Sequence, residues 1–80
     1  MTEIDRLRGV FRTALELPAD YPVDELRYRG IDKWDSLAHM SLVAAIEDEF
    51  GVMIETDDVI DMSSFEKARE ILGRQGVQLN

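Results

Sequence analysis

Few side chains in this 80-residue chain could do covalent chemistry, and the best candidate is the serine in the stretch KWDSLAHMSL. Ser36 stands between Asp35 and Leu37, where a helical pattern begins. A serine that hydrolyses a substrate needs a base and an oxyanion hole. The single histidine, His39, lies about 60° from Ser36 around a helix, toward the core side, and no nucleophile elbow precedes the serine. We therefore interpret His39 as structural and expect that the protein is not an enzyme.

The other reactive groups form no recognisable metal or phosphate site. The chain has no cysteine, which excludes a disulfide, a thiolate metal site and a thiol nucleophile. The acidic run DDVID lacks the glycine-hinged loop of an EF-hand, and no glycine-rich phosphate loop occurs. No apolar run reaches the length of about 18 residues that a membrane-spanning helix needs. We expect no metal, no membrane span and a cytoplasmic location.

Ser36 is better placed to carry a group than to attack one. Asp35 fits the N-cap position of the helix that follows, which leaves the Ser36 hydroxyl free to face solvent. A negative group near a helix N-terminus is stabilised by roughly 0.3–1 kcal/mol. A phosphate ester on Ser36 would therefore be tolerated electrostatically.

The net charge of −8, from 17 acidic and 9 basic residues, limits the possible partners. The phosphate backbone of a nucleic acid would repel this surface, as would an anionic membrane. A basic patch on a partner protein is the natural complement. The alternative is that the charge serves solubility alone.

Helical patterns surround these residues. The stretch 3–17 reads as an amphipathic helix with Thr2 as its N-cap, and residues 18–34 read as a long ordered loop. Residues 36–50 form the clearest helix, which Gly51 is well suited to end.

Two shorter helices follow. Thr56 is predicted to cap a helix of a turn or two over DDVID. Ser63 and Glu66 form a predicted capping box for a last helix over about 64–73, with a fraying tail at 74–80.

The predicted fold is all-α. We expect a small four-helix bundle, with three main helices, a short third helix and a long first loop. The whole chain, 1–80, is predicted to be one domain, ordered over about 3–73, and a monomer.

The central helix presents two different faces. Its core arc holds Leu42, Val43, Ile46 and Phe50, and the predicted core adds Ile54, Ile60, Met62, Ala68 and Ile71. The opposite side holds Ser36, Met40 and Glu47, with Leu37, Ala44 and Asp48 close by. Apolar side chains exposed among acids are typical of a docking surface, although single exposed apolar residues are also common on any protein.

Together these residues resemble the acyl carrier protein family over nearly the whole chain. The resemblance is carried by DSL at Asp35, Ser36 and Leu37, by a helix that ends in AIEDEFGV, and by a short helix and a capped final helix in the same order. It implies that Ser36 carries a 4′-phosphopantetheine arm through a phosphodiester. A phosphopantetheinyl transferase would add the arm from coenzyme A, with Asp35 and Leu37 aiding its recognition.

The same resemblance implies how the protein would work. Acyl groups would travel as thioesters on the thiol of the arm, and partner enzymes would hold the catalytic residues. Glu47 and Asp48 match acids that meet basic patches on those partners, and Met40 matches an apolar contact position.

Some residues depart from the commonest family pattern and leave the cargo open. Trp34 precedes the aspartate, and the loop holds Arg27, Arg29 and Lys33. WDSLAH resembles carriers of specialised pathways, so fatty-acid, polyketide or other acyl biosynthesis all remain candidates. The alternatives are an aminoacyl or peptidyl carrier of the same fold, or an unmodified acidic helical interaction module. Trp34 itself could equally be a packing residue.

Overall fold

Four helices make up the regular structure of the computed structural model, which describes residues 2–79. They are α1 (Glu3–Ala14), α2 (Ser36–Phe50), α3 (Thr56–Asp61) and α4 (Phe65–Arg74). No β-strand occurs within residues 2–79, and this confirms the all-α prediction. Met1 and Asn80, at the ends of the predicted domain and tail, lie outside the described residues.

Helix α1 begins as predicted but ends early. Thr2 Oγ1 accepts a hydrogen bond from the Asp5 amide at 3.2 Å, which is the expected N-cap. The helix ends at Ala14 and not at residue 17, because Glu16 adopts a left-handed backbone (φ 56°). The buried side chain of Leu15 continues the apolar pattern beyond the last helical residue, and this continuation made the predicted helix too long.

Helix α2 has the predicted bounds and both predicted ends. The Asp35 carboxylate accepts a hydrogen bond from the Ala38 amide at 2.9 Å. At the other end, Gly51 takes a left-handed conformation (φ 65°), and its amide donates to the Glu47 carbonyl. Glycine adopts this conformation without the steric cost of a Cβ, so the sequence stops the helix here.

Helix α3 starts at Thr56, the residue that was predicted to cap it, so it begins one residue earlier than expected. Thr56 is the first helical residue, and Glu55 occupies the N-cap position without a capping side-chain bond. The prediction of Thr56 as the N-cap is therefore wrong.

Helix α4 is capped by Ser64 and not by the predicted Ser63–Glu66 box. Ser64 Oγ accepts from the Lys67 amide at 3.0 Å. The carbonyl of Ser63 instead accepts from the Tyr28 amide at 2.8 Å, which ties the first loop to the start of α4.

Part of the predicted tail, 74–80, makes contacts with α4 and the core. Helix α4 continues to Arg74, and the Val77 amide donates to the Leu72 carbonyl at 3.0 Å. Val77 and Leu79 are partly buried against the core.

Aromatic side chains form the centre of the core. Phe11 meets Trp34 edge-on at a centroid distance of 5.4 Å and Phe65 at 4.9 Å. Trp34 is fully buried, so it packs the first loop onto the helices. Ile60 is 73% exposed, and its predicted place in the core is wrong, because α3 buries none of its residues.

Arginine side chains from α1 hold the first loop in place. Arg8 forms a bidentate ion pair with Asp24, with both N–O distances 2.8 Å, and lowers the pKa of that carboxyl. Arg12 Nε donates to the Tyr21 carbonyl at 2.8 Å. The loop is thereby fixed along α1 before it reaches the start of α2.

None of the helices between residues 2 and 79 is long and apolar enough to cross a membrane.

Candidate functional site

Ser36 is an exposed residue at the first position of α2, and two loop side chains contact its hydroxyl. The Tyr28 hydroxyl lies 2.8 Å from Ser36 Oγ, and either oxygen can be the donor. Arg29 Nη2 donates to the same Oγ at 3.3 Å. The predicted attachment residue is therefore accessible and has a phenol and a guanidinium as neighbours.

Backbone hydrogen bonds of the first loop position Tyr28 and Arg29. The Arg29 amide donates to the Trp34 carbonyl at 3.0 Å, and the Gly30 amide donates to the Arg27 carbonyl at 2.8 Å. A Cβ on Gly30 would come within 3.0 Å of that carbonyl oxygen, so a larger residue would disturb the turn. Arg29 itself has a left-handed backbone (φ 64°), which is uncommon for a residue other than glycine.

The electrostatics of the site are set by Tyr28 and Arg29. Hydrogen bonds lower the pKa of the Tyr28 phenol. The bond with Ser36 has the largest effect, and the bond with Arg29 has the second largest. Hydrogen bonding to Tyr28 is also the main cause that raises the pKa of Arg29. Arg29 stays cationic and lies over the Tyr28 ring, 5.5 Å from its centroid.

Asp35 and Leu37, the neighbours of Ser36 that were predicted to aid recognition by the transferase, have different surroundings. Asp35 directs its carboxylate to the Ala38 amide, so its oxygen caps the helix. Leu37 is 80% exposed and presents an apolar side chain beside the serine.

The three predicted docking residues on α2 have different surroundings. Met40 is 58% exposed, and Asp48 is exposed on the groove between α1 and α2. Glu47 is half-buried, and its Oε2 accepts from the Ile54 amide at 2.9 Å. Glu47 therefore supports the connection between α2 and α3, a role that the sequence pattern did not reveal.

His39 contacts hydrogen-bonding groups through both ring nitrogens. Trp34 Nε1 lies 2.9 Å from Nδ1, and because an indole can only donate, Nδ1 is the acceptor. Nε2 then carries the proton and donates to the Val59 carbonyl at 2.8 Å. Both nitrogens serve structural bonds, as expected of a structural histidine.

The sequence did not predict the two side chains that contact Ser36, nor two apolar side chains that are exposed elsewhere on the surface. Tyr28 and Arg29 are eight and seven residues before Ser36 in an irregular loop, where no periodic pattern predicts a contact. Met53 and Ile60 are 79% and 73% exposed near the α2–α3 connection and on α3. The shortness of DDVID was the only signal that this helix could leave an isoleucine outside the core.

The part of the chain described, residues 2–79, contains no cluster of three or more His, Cys, Asp or Glu side chains that could hold a metal ion.

A scan against protein-family models found no match to the chain, and a search of curated proteins also found none.

Proposed function

We propose that this protein is an acyl carrier protein whose four helices form an acyl-carrier-like bundle. It carries acyl groups on a 4′-phosphopantetheine arm attached to Ser36 and delivers them to partner enzymes. The observation that carries this proposal is the Ser36 hydroxyl, exposed at the start of α2 with Arg29 beside it, while Asp35 does the capping. The family resemblance of the DSL motif supports the same reading.

The residues around Ser36 suit a phosphate ester. The side chain is exposed, and its neighbours Tyr28 and Arg29 are both able to donate hydrogen bonds. When bound, the arm supplies the thiol that the chain, which has no cysteine, lacks. On attachment, Ser36 Oγ gains a bond to phosphorus and loses its proton. The phosphoanhydride bond in the pyrophosphate of coenzyme A breaks, and adenosine 3′,5′-bisphosphate leaves with the proton-accepting oxygen.

Partner enzymes would recognise the surface beside Ser36. Asp35 and Leu37 would aid the transferase, and Met40 and Asp48 would meet apolar and basic groups on partners. Glu47 would contribute charge while also holding the Ile54 amide. We propose a cytoplasmic monomer that acts in fatty-acid, polyketide or other specialised acyl biosynthesis.

The test is treatment with a broad-specificity phosphopantetheinyl transferase and coenzyme A, followed by intact-protein mass spectrometry. The parent chain should gain one arm. Ser36→Ala should gain none and keep its helical circular dichroism. Ser41→Ala is the matched control, because Ser41 is an exposed serine of the same helix, and it should be modified like the parent. An unmodified parent chain, or an arm on Ser36→Ala, would contradict the proposal.

The WDSLAH sequence also favours a second candidate, an aminoacyl or peptidyl carrier with the same modification. Intact mass after incubation with the cognate pathway enzymes distinguishes the two by the cargo. An unmodified interaction module would remain without an arm in the transferase experiment.

A further inference from the structure

We propose that Tyr28 and Arg29 form a phosphate-binding clasp that holds the phosphate group esterified to Ser36. The identity of that ester as the phosphodiester of the arm rests on the proposed function. The clasp itself rests on the side chains around Ser36 Oγ.

Both members of the clasp can keep a hydrogen bond when Ser36 is esterified. The hydroxyl hydrogen is lost in the ester, so Oγ and the phosphate oxygens can only accept. The Tyr28 hydroxyl and the Arg29 guanidinium both donate, and they already lie 2.8 Å and 3.3 Å from Oγ. Esterification therefore adds the phosphate oxygens as further hydrogen-bond acceptors beside Ser36 Oγ, next to the two donors.

The charge of Arg29 is available to an anion. Within residues 2–79, the ion pairs shorter than 4.0 Å use Arg6, Arg8, Lys67 and Arg74 as cations. Among the described residues, no carboxylate forms an ion pair with Arg29 within 4.0 Å, although the protein carries a net charge of −8. A planar guanidinium without a carboxylate partner suits bidentate recognition of phosphate oxygens.

The backbone of Arg29 is held in an uncommon conformation at this point of the loop. A φ of 64° is unfavourable for a residue other than glycine, and the bond from the Arg29 amide to the Trp34 carbonyl helps to maintain it. Backbone strain of this kind concentrates at ligand-binding sites. Here it occurs at the residue whose side chain contacts Ser36.

The clasp is tested by placing phosphoserine at position 36 through genetic encoding and following its titration by ³¹P NMR. The second pKa of a free phosphoserine is about 6, and pairing with a guanidinium lowers it. Arg29→Gln should raise the measured pKa by about one unit relative to the parent. Arg29→Lys should raise it less, because the charge stays and the planar fork is lost. Tyr28→Phe should also raise it, through loss of one donor.

Arg27→Gln is the matched control. It removes the same charge from the same loop, but Arg27 lines the groove toward α4 and not the surface at Ser36. Its titration should follow that of the parent. Equal shifts in the Arg29 and Arg27 variants would show only a general charge effect and would overturn the clasp, as would no shift in either.

A second readout uses the transferase-modified protein. The ³¹P chemical shift of its phosphodiester should change in Arg29→Gln and not in Arg27→Gln. If the arm attaches and neither ³¹P measurement responds to Arg29, the clasp is wrong and the carrier function stands. If the arm does not attach, the proposed function fails, and the phosphoserine titration alone decides whether the clasp binds phosphate.

Discussion

Asp35 and Ser36 are adjacent at the start of α2, yet only one of them caps the helix. The Asp35 carboxylate takes the Ala38 amide, and Ser36 Oγ contacts Tyr28 and Arg29 instead. Ser64, at the start of α4, shows the opposite arrangement, because its hydroxyl accepts from a backbone amide three residues on. Ser36 therefore has a hydroxyl that the fold does not use for capping.

Substitutions at Asp35 separate its capping role from its predicted role in transferase recognition. Asp35→Ala should lower the free energy of unfolding by about 0.5–2 kcal/mol, because the Ala38 amide loses its acceptor. Asp35→Asn keeps an acceptor and should unfold like the parent in urea. Both variants should show a lower transferase kcat/KM, because both lose the carboxylate. If Asp35→Asn reacts like the parent, Asp35 acts only as a cap.

The residues of the site were predictable only where a local motif placed them. Ser36 and the capping role of Asp35 follow from neighbouring positions at a helix start. The contacts of Tyr28 and Arg29 depend on a long loop whose path is set by bonds to α1 and α4. The bond from the Ile54 amide to Glu47 likewise depends on how the chain turns after α2.

At the scale of elements, α3 depends on contacts that other parts of the chain make with it. It has six residues, none of them buried, and no side-chain cap. His39 accepts from Trp34 and donates to the Val59 carbonyl, so one imidazole joins the first loop, α2 and α3. An exposed ion pair between Arg74 and Asp58 connects α3 to α4.

Removal of the imidazole should therefore loosen α3 more than the rest of the protein. In His39→Ala, amide hydrogen exchange over residues 56–61 should be faster than in the parent, because the Val59 carbonyl loses its donor. Far-UV circular dichroism should change little, and Ser41→Ala provides an exposed control on the same helix. Unchanged exchange over α3 would show that the histidine does not tether it.

The elements that the sequence predicted best are those with strong signals at both ends. Helix α2 has an aspartate cap and a glycine stop, and its bounds were predicted correctly. The cap of α4 was misplaced because the first loop pairs with the Ser63 carbonyl, a tertiary contact that leaves no local pattern. The end of α1 was misplaced because Leu15 stays buried after the helix has ended.

Over the whole molecule, the acid excess remains largely at the surface. Apart from the bidentate Arg8–Asp24 pair, each described ion pair joins one nitrogen of the cation to an acid, and the side chains of these acids are mostly a quarter or more exposed, such as Glu70 at 61%. Such exposed pairs contribute little to the free energy of unfolding, so the net charge of −8 acts mainly on association.

Charge reversal at two positions distinguishes a local docking surface from a general effect of charge. Asp48→Lys on α2 and Glu25→Lys in the first loop change the net charge equally, and both side chains are exposed. At low salt, Asp48→Lys should lower the kcat/KM of a basic partner enzyme about two- to fivefold, and added salt should reduce the difference. Glu25→Lys should react nearly like the parent. Equal effects of the two reversals would leave no local role for Asp48.

The carrier role makes its most direct prediction about thiols, because the chain contains no cysteine. After treatment with the transferase and coenzyme A, and removal of the free coenzyme by gel filtration, a thiol-specific reagent should find about one thiol per chain. The untreated protein and treated Ser36→Ala should react with none, and treated Ser41→Ala should match the parent. Absence of a thiol in the treated parent chain, or its presence in treated Ser36→Ala, would contradict the claim that Ser36 carries the working arm.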